Sequence, residues 1–170
     1  GHAFYDLRLL STLGFEEEDV EDFRGEADVE CAEGSYSMDV LYQLENGKQG
    51  AVKAYSLTEQ VNTVKLVAGR LPENADECVV DSNMFGEDAI GTTIALSDEN
   101  DQDTLDSFQS DSYRIVGLVQ SPLYIQYERG NTSLGTGRLS GFIYLMPESF
   151  TLDVYTEVYV RFRQDNPLYG

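Results

Sequence analysis

The chain has 170 residues, 31 of them acidic and 11 basic, for a formal net charge of −20. Such a charge repels phosphate backbones and anionic headgroups, which argues against nucleic acid as a partner, and its spread along the whole chain fits a solvated surface. The length allows one large domain or two small parts with a real core, and 41% hydrophobic residues argue against disorder.

In chain order, "GHAFYDLRLL" lacks the apolar centre and cleavage site of a signal peptide, and a leading glycine without methionine suggests a piece cut from a longer protein. "FEEEDVEDFR", residues 15–24, predicts a helix in which Phe15, Val20 and Phe23 share a face and the early acids suit the positive helix end. Tyr36, Met38, Val40, Tyr42 and Leu44 alternate with Ser37, Asp39, Leu41 and Gln43, the period of a half-buried strand. The Asn46-Gly47 step in "ENGKQG" then predicts a hairpin returning through "AVKAYSL". Further strands are expected at "TVKLV", "ECVVD", "TTIAL", "SYRIVGLV", "GFIYLM" and "TEVYVRF", all rich in β-branched or aromatic residues, with short helical turns at "SNMFGED" and "PESF". Between "TVKLV" and "ECVVD" lies a polar turn in which Gly69 frees the backbone and Pro72 fixes φ.

Two segments fit neither pattern. The acidic stretch 97–112 reads as a solvated loop with a helical turn at its centre; an EF-hand is excluded because Asp103 and Gln109 stand where glycine and glutamate are required. Residues 121–141, "SPLYIQYERGNTSLGTGRLSG", mix tyrosines, arginine and glycines, as a long ordered excursion with a functional role does.

The chemistry of catalysis is sparse. The single histidine, His2, stands at the start of the chain, which leaves the body without a Ser-His or Cys-His pair. "GTG" at 135–137 lacks the surroundings of a phosphate loop, and "NTS" at 131–133 is too short a glycosylation pattern to carry weight. Neither Cys31 nor Cys78 belongs to a zinc spacing; they are expected as free, partly buried thiols, although a bridge between them is compatible with the sequence. No catalytic residue, metal ligand or cofactor site is assigned, and nothing selects one pair among the many carboxylates as hydrolytic. The apolar runs are too short to cross a bilayer.

"GRLPENADECVV", followed by "IGTTIAL" and "YRIVGLVQSP", resembles the MacB-like extracytoplasmic core domain of FtsX-type ABC transporter permeases. In that family a Gly-Arg-x-Pro turn leads to a glutamate-headed strand, an Ile-Gly-x-x-Ile-x-Leu strand and a strand ending in Val-Gly. "YDLRLLSTLGFEEEDV" and "SPLYIQYERGNTSLGTGRLSGFIYL" are similar to segments of the large permeases of Gram-positive bacteria, the first of them following the first membrane helix. One departure is "IGTTI", where the family often has aspartate after the glycine.

The resemblance implies a non-catalytic domain outside the cell membrane, set between two membrane helices of the same permease. It would transmit conformational change from ATP hydrolysis on a separate cytoplasmic subunit to other extracytoplasmic domains or to an extracellular peptide, lipid or cell-wall protein. The expected architecture is a single α+β domain, strand-rich, with a helix-containing membrane-proximal part at about 3–60 plus 142–170 and a mostly β part at about 61–141. Gly69, Arg70, Pro72 and Glu77 are expected to frame a structural turn. Tyr124, Ile125, Tyr127, Arg129 and Leu134 are candidates for partner contact, since aromatic and arginine side chains dominate such surfaces, unless the loop instead folds back over its own sheet. Two other functions stay open: an extracellular domain that senses or binds a peptide or small ligand, and a secreted carboxylate-dependent hydrolase.

Overall fold

A computed structural model describes residues 5–122 and 132–164. Ten strands in two sheets and two α-helices make it an α+β domain among those residues. Strand β1 (Leu7–Phe15) leads into α1 (Glu17–Arg24), followed by β2 (Val29–Ser35), β3 (Ser37–Leu44), β4 (Gln49–Ser56), β5 (Lys65–Gly69) and β6 (Glu77–Asp81). Then come β7 (Thr93–Leu96), α2 (Gln102–Asp106), β8 (Ser112–Gln120), β9 (Leu139–Leu145) and β10 (Tyr155–Phe162).

The smaller sheet has the order β1-β10-β2, and α1 covers it. The helix starts later than its sequence suggests because Glu16 caps it: the Glu16 N–H donates to Asp19 Oδ2 at 2.8 Å. Phe15 ends β1 instead of opening the helix, yet joins Val20 and Phe23 over Val29, Ala32, Val158 and Val160, in the manner of an apolar residue stapled ahead of a cap. Neither β1 nor β2 shows clean alternation, since "LRLLSTLGF" leaves Leu10 61% and Leu13 88% exposed and "VECAEGS" pairs low β-propensity residues with its valine.

The larger sheet runs β5-β8-β6-β9-β4-β3-β7 and curls until β7 meets β8, closing a ring of six strands with β5 as an added edge. Strand β8 does double duty along one edge: Tyr113 and Arg114 pair with β7, whereas Gly117 to Gln120 pair with β5. Inside lie Tyr42, Val52, Cys78, Val80, Ile94, Tyr113, Ile115 and Ile143, all at most 2% exposed. The predicted hairpin joins β3 to β4, with Gln43 opposite Gln49. The acidic stretch is less solvated than expected: Asn100 is buried and bonds Leu41 through both its carbonyl and its amide, and Phe108 packs on Phe150. Its helical turn is present as α2, capped by Asp101.

The division between sheets falls elsewhere than the expected 3–60 plus 142–170. Strands β3, β4 and β9 belong to the ring, so the smaller sheet takes only residues before Tyr36 and after Val154. The reason is local: β2 and β3 are nearly continuous, and the chain changes sheet at the single residue Tyr36 between them. Both cysteines are buried and free.

Candidate functional site

The two sheets meet along a seam built from Ser35, Tyr36 and Ser37 on one side and the approach to β10 on the other. The Ser37 N–H donates to Thr156 Oγ1 at 2.8 Å, and that hydroxyl donates to the Ser35 carbonyl at 3.1 Å. Ser37 Oγ donates at 2.8 Å to the carboxylate of Glu157, a residue only 6% exposed that also accepts the Tyr159 hydroxyl. Burial and the Glu157 carboxylate both drive the Tyr159 pKa upward, so that hydroxyl stays a donor.

Aromatic rings extend the seam. Tyr36 lies 5.0 Å from Tyr155 and 5.2 Å from Phe150, and Phe150 lies 5.1 Å from Phe108. Four rings thus run from the smaller sheet into the ring of strands. Tyr155 also donates to Glu17 Oε2 at 2.7 Å, tying α1 into the same line. A second tie comes from the segment after β4: the Glu33 carboxylate on β2 accepts the N–H groups of Glu59, Gln60 and Val61 at 2.9, 2.6 and 2.5 Å. Arg161 donates to the Gln60 carbonyl at 3.1 Å from the neighbouring strand. The domain therefore has two bodies of strands joined by a compact, hydrogen-bonded seam.

The chain enters and leaves through the smaller sheet. Strands β1 and β10 are antiparallel neighbours with Leu7 opposite Val160, and the Phe162 N–H donates to Asp6 Oδ2 at 2.7 Å. The two ends of the described chain lie side by side.

Of the residues singled out in the sequence, Gly69, Arg70 and Glu77 come together between β5 and β6. Arg70 holds Glu77 through two parallel bonds of 3.0 and 2.5 Å, and the same carboxylate accepts the N–H groups of Glu73 and Asn74. The Arg70 guanidinium, with these amides, lowers the Glu77 pKa to about 2. Pro72 is buried within the same turn. Tyr124, Ile125, Tyr127 and Arg129 lie outside the described residues; Leu134 is half-buried in a turn closed by the Gly137 N–H on its carbonyl at 2.9 Å. Sequence reading missed the seam, because the pairing of Ser37 with Thr156 and Glu157 joins residues more than a hundred positions apart.

Among the described residues, two clefts of similar size open on the ring. One, of about 300 Å³, is lined by Leu44, Met84, Phe85 and Ala89 together with Lys48 and Asp88. The other, of about 290 Å³, lies over Gly50 between Tyr42, Ser140 and Arg138. No group of three or more His, Cys, Asp or Glu side chains able to hold a metal occurs among the described residues, and none of their helices is long and apolar enough to cross a membrane.

No protein-family model matches the chain, and no curated protein matches it. Solved structures do. The periplasmic region of MacB from Actinobacillus actinomycetemcomitans is 14% identical with a TM-score of 0.55, the match covering 95% of this chain and 70% of that one. The extracellular domain of the noncanonic ABC-type transporter YknZ from Gram-positive bacteria is 13% identical with a TM-score of 0.58, covering 98% of this chain and 84% of that one. A domain of a protein described as a permease from Porphyromonas gingivalis is 16% identical with a TM-score of 0.54, covering 90% of this chain and 64% of that one. The chain has the fold of MacB-like extracytoplasmic domains.

Proposed function

We propose that the chain is a non-catalytic extracytoplasmic domain of an ABC transporter permease, on the outer side of the cell membrane. It transmits conformational change, driven by a separate cytoplasmic ATPase subunit, from the transmembrane part of the permease to an extracellular substrate or partner. The observation that carries this reading is the likeness of fold over nearly the whole chain to the periplasmic region of MacB and the extracellular domain of YknZ. The side-by-side chain ends support it, since a domain inserted between two neighbouring membrane helices must begin and end in one place. The smaller sheet is then the membrane-proximal body, and the seam at Tyr36 carries motion into the ring of strands. Tyr124, Ile125, Tyr127, Arg129 and Leu134 are the proposed contacts with another extracytoplasmic domain or with a peptide, lipid or cell-wall protein. Gly69, Arg70, Pro72 and Glu77 act as a rigid turn.

The native reading frame tests the proposal. Segments of about 20 apolar residues should flank the domain on both sides; a reading frame without them overturns the permease assignment. A second reading, a ligand-sensing domain, draws its support from the polar cleft over Gly50, where the buried Tyr42 hydroxyl meets only the Ser140 side chain and forms no hydrogen bond of normal geometry.

A further inference from the structure

Gly50 is the second residue of β4, paired with Tyr42 close to the hairpin turn, where a side chain would ordinarily add packing. A Cβ there would lie 3.0 Å from both the Tyr42 and the Ser140 hydroxyl oxygens. The missing side chain therefore leaves open the space in which two hydroxyls converge. An aromatic ring laid across a strand glycine is a common way to cover it, and that accounts for the Tyr42 ring. It does not account for the rest of the cleft.

Three further observations concern polar groups. Tyr42 is 1% exposed, and its hydroxyl forms no hydrogen bond of normal geometry, with the Ser140 side chain as its polar neighbour. A buried hydroxyl left unpaired carries a desolvation cost that a ligand would relieve. Ser140 is the extra residue of a β-bulge, since Ala51 pairs with Leu139 and Val52 with Gly141; bulges re-aim side chains and cluster at functional sites. Arg138 is exposed on the same wall and forms no ion pair among the described residues, in a chain where acids outnumber bases 31 to 11.

We propose that this cleft binds the free carboxylate of a small zwitterion, an amino acid or a short peptide C-terminus. The Tyr42 and Ser140 hydroxyls donate to the carboxylate and Arg138 supplies the charge. Burial raises the Tyr42 pKa, so its hydroxyl keeps the proton that it donates. Glu99 lines the same cleft. Its carboxylate faces the ammonium end of a zwitterion and repels phosphate and other polyanions. At about 290 Å³ the space suits a ligand of one or two residues. The site stands on its own geometry, whether or not the domain belongs to a permease.

The test is a titration of the full 170-residue chain with L-alanine, L-alanyl-L-alanine, its C-terminal amide and inorganic phosphate, followed by amide NMR shifts at Gly50 and Ser140 and by calorimetry. Saturable shifts with alanine alone mark a free amino acid as the source, and preference for the dipeptide marks a peptide end. The amide and phosphate should bind at least about tenfold more weakly, the difference expected when a charge-assisted hydrogen bond is lost. Tyr42→Phe keeps the ring over Gly50 and so keeps the fold, yet should weaken binding roughly tenfold; Arg138→Gln should weaken it too. The proposal is overturned by the absence of saturable shifts at tens of millimolar, by equal binding of acid and amide, or by a Tyr42→Phe chain that binds as tightly as the parent.

Discussion

Gly69 and Gly117 pair across β5 and β8, and a Cβ on either would run into backbone atoms of the facing segment. A Cβ on Gly69 would lie 2.3 Å from the Val116 carbonyl oxygen and 2.8 Å from the Gly117 Cα; one on Gly117 would lie 2.3 Å from the Arg70 carbonyl oxygen. Gly69 also has φ +75°, a conformation that costs other residues about 1–2 kcal/mol. The two glycines let β5 hug β8 just before the Arg70 turn. We expect Gly117→Ala to be destabilising by about 2 kcal/mol or more, because its contacts are backbone atoms that cannot turn aside. Gly69→Ala should cost at least as much. Denaturant unfolding measures both, and a midpoint unchanged in either variant would show that the strands can part without loss.

The Arg70–Glu77 pair makes stability depend on pH in a definite direction. The folded Glu77 pKa of about 2 lies below its ordinary 4.5, so the carboxylate is favoured in the folded state. Its stabilisation is complete above about pH 4.5 and fades as pH falls through the window from 4.5 to 2. Glu77→Gln should be less stable than the parent at neutral pH, and the two curves should converge near pH 2, the folded-state pKa. Thermal unfolding across that range checks the sign. A difference between parent and variant that stays constant with pH would mean that the carboxylate's charge contributes nothing.

How much of this was legible in the sequence varies from element to element. Strands β3, β4 and β6 to β9 are readable because their alternation or β-branched runs express burial inside a closed ring, β5 and β10 because they carry β-branched and aromatic residues of their own, and the hairpin announces itself at Asn46-Gly47. Strand β1 is not, because it is an edge whose leucines at 10 and 13 face outward and break the period. The pairing of β7 with β8 cannot be read locally either, since it depends on how far the whole sheet curls. The turn at Gly69 to Glu77 stands out as a motif, whereas the cleft over Gly50 is invisible: the absence of a side chain has meaning only once Tyr42 and Ser140 are in place.

A further prediction separates contact from folding in residues 121–141. If Tyr124 and Tyr127 touch a partner, Tyr124→Ala with Tyr127→Ala should change the unfolding free energy of the isolated chain by no more than the roughly 0.5 kcal/mol typical of surface changes. In the assembled transporter, the same pair should weaken the coupling of ATP hydrolysis to the external task. A large loss of stability in the isolated chain would instead assign both tyrosines to the domain's own packing.

The seam offers the sharpest test of force transmission. Tyr36 stacks against Phe150 and packs at a tilt against Tyr155, so its ring bridges the two bodies at the point where the chain crosses between them. Tyr36→Leu keeps an apolar side chain there and removes both ring contacts, each worth about 0.5–1.5 kcal/mol beyond simple burial. The chain should still fold, with hydrogen exchange faster at Ser37, whose N–H bond to Thr156 closes the seam. If the domain serves a permease as proposed, ATP hydrolysis should continue while the external work declines, because the smaller sheet would move without carrying the ring of strands along. A variant that loosens exchange at Ser37 and yet works at the parental rate would show that motion passes by another route, the Glu33 tie to residues 59–61 being the next to cut.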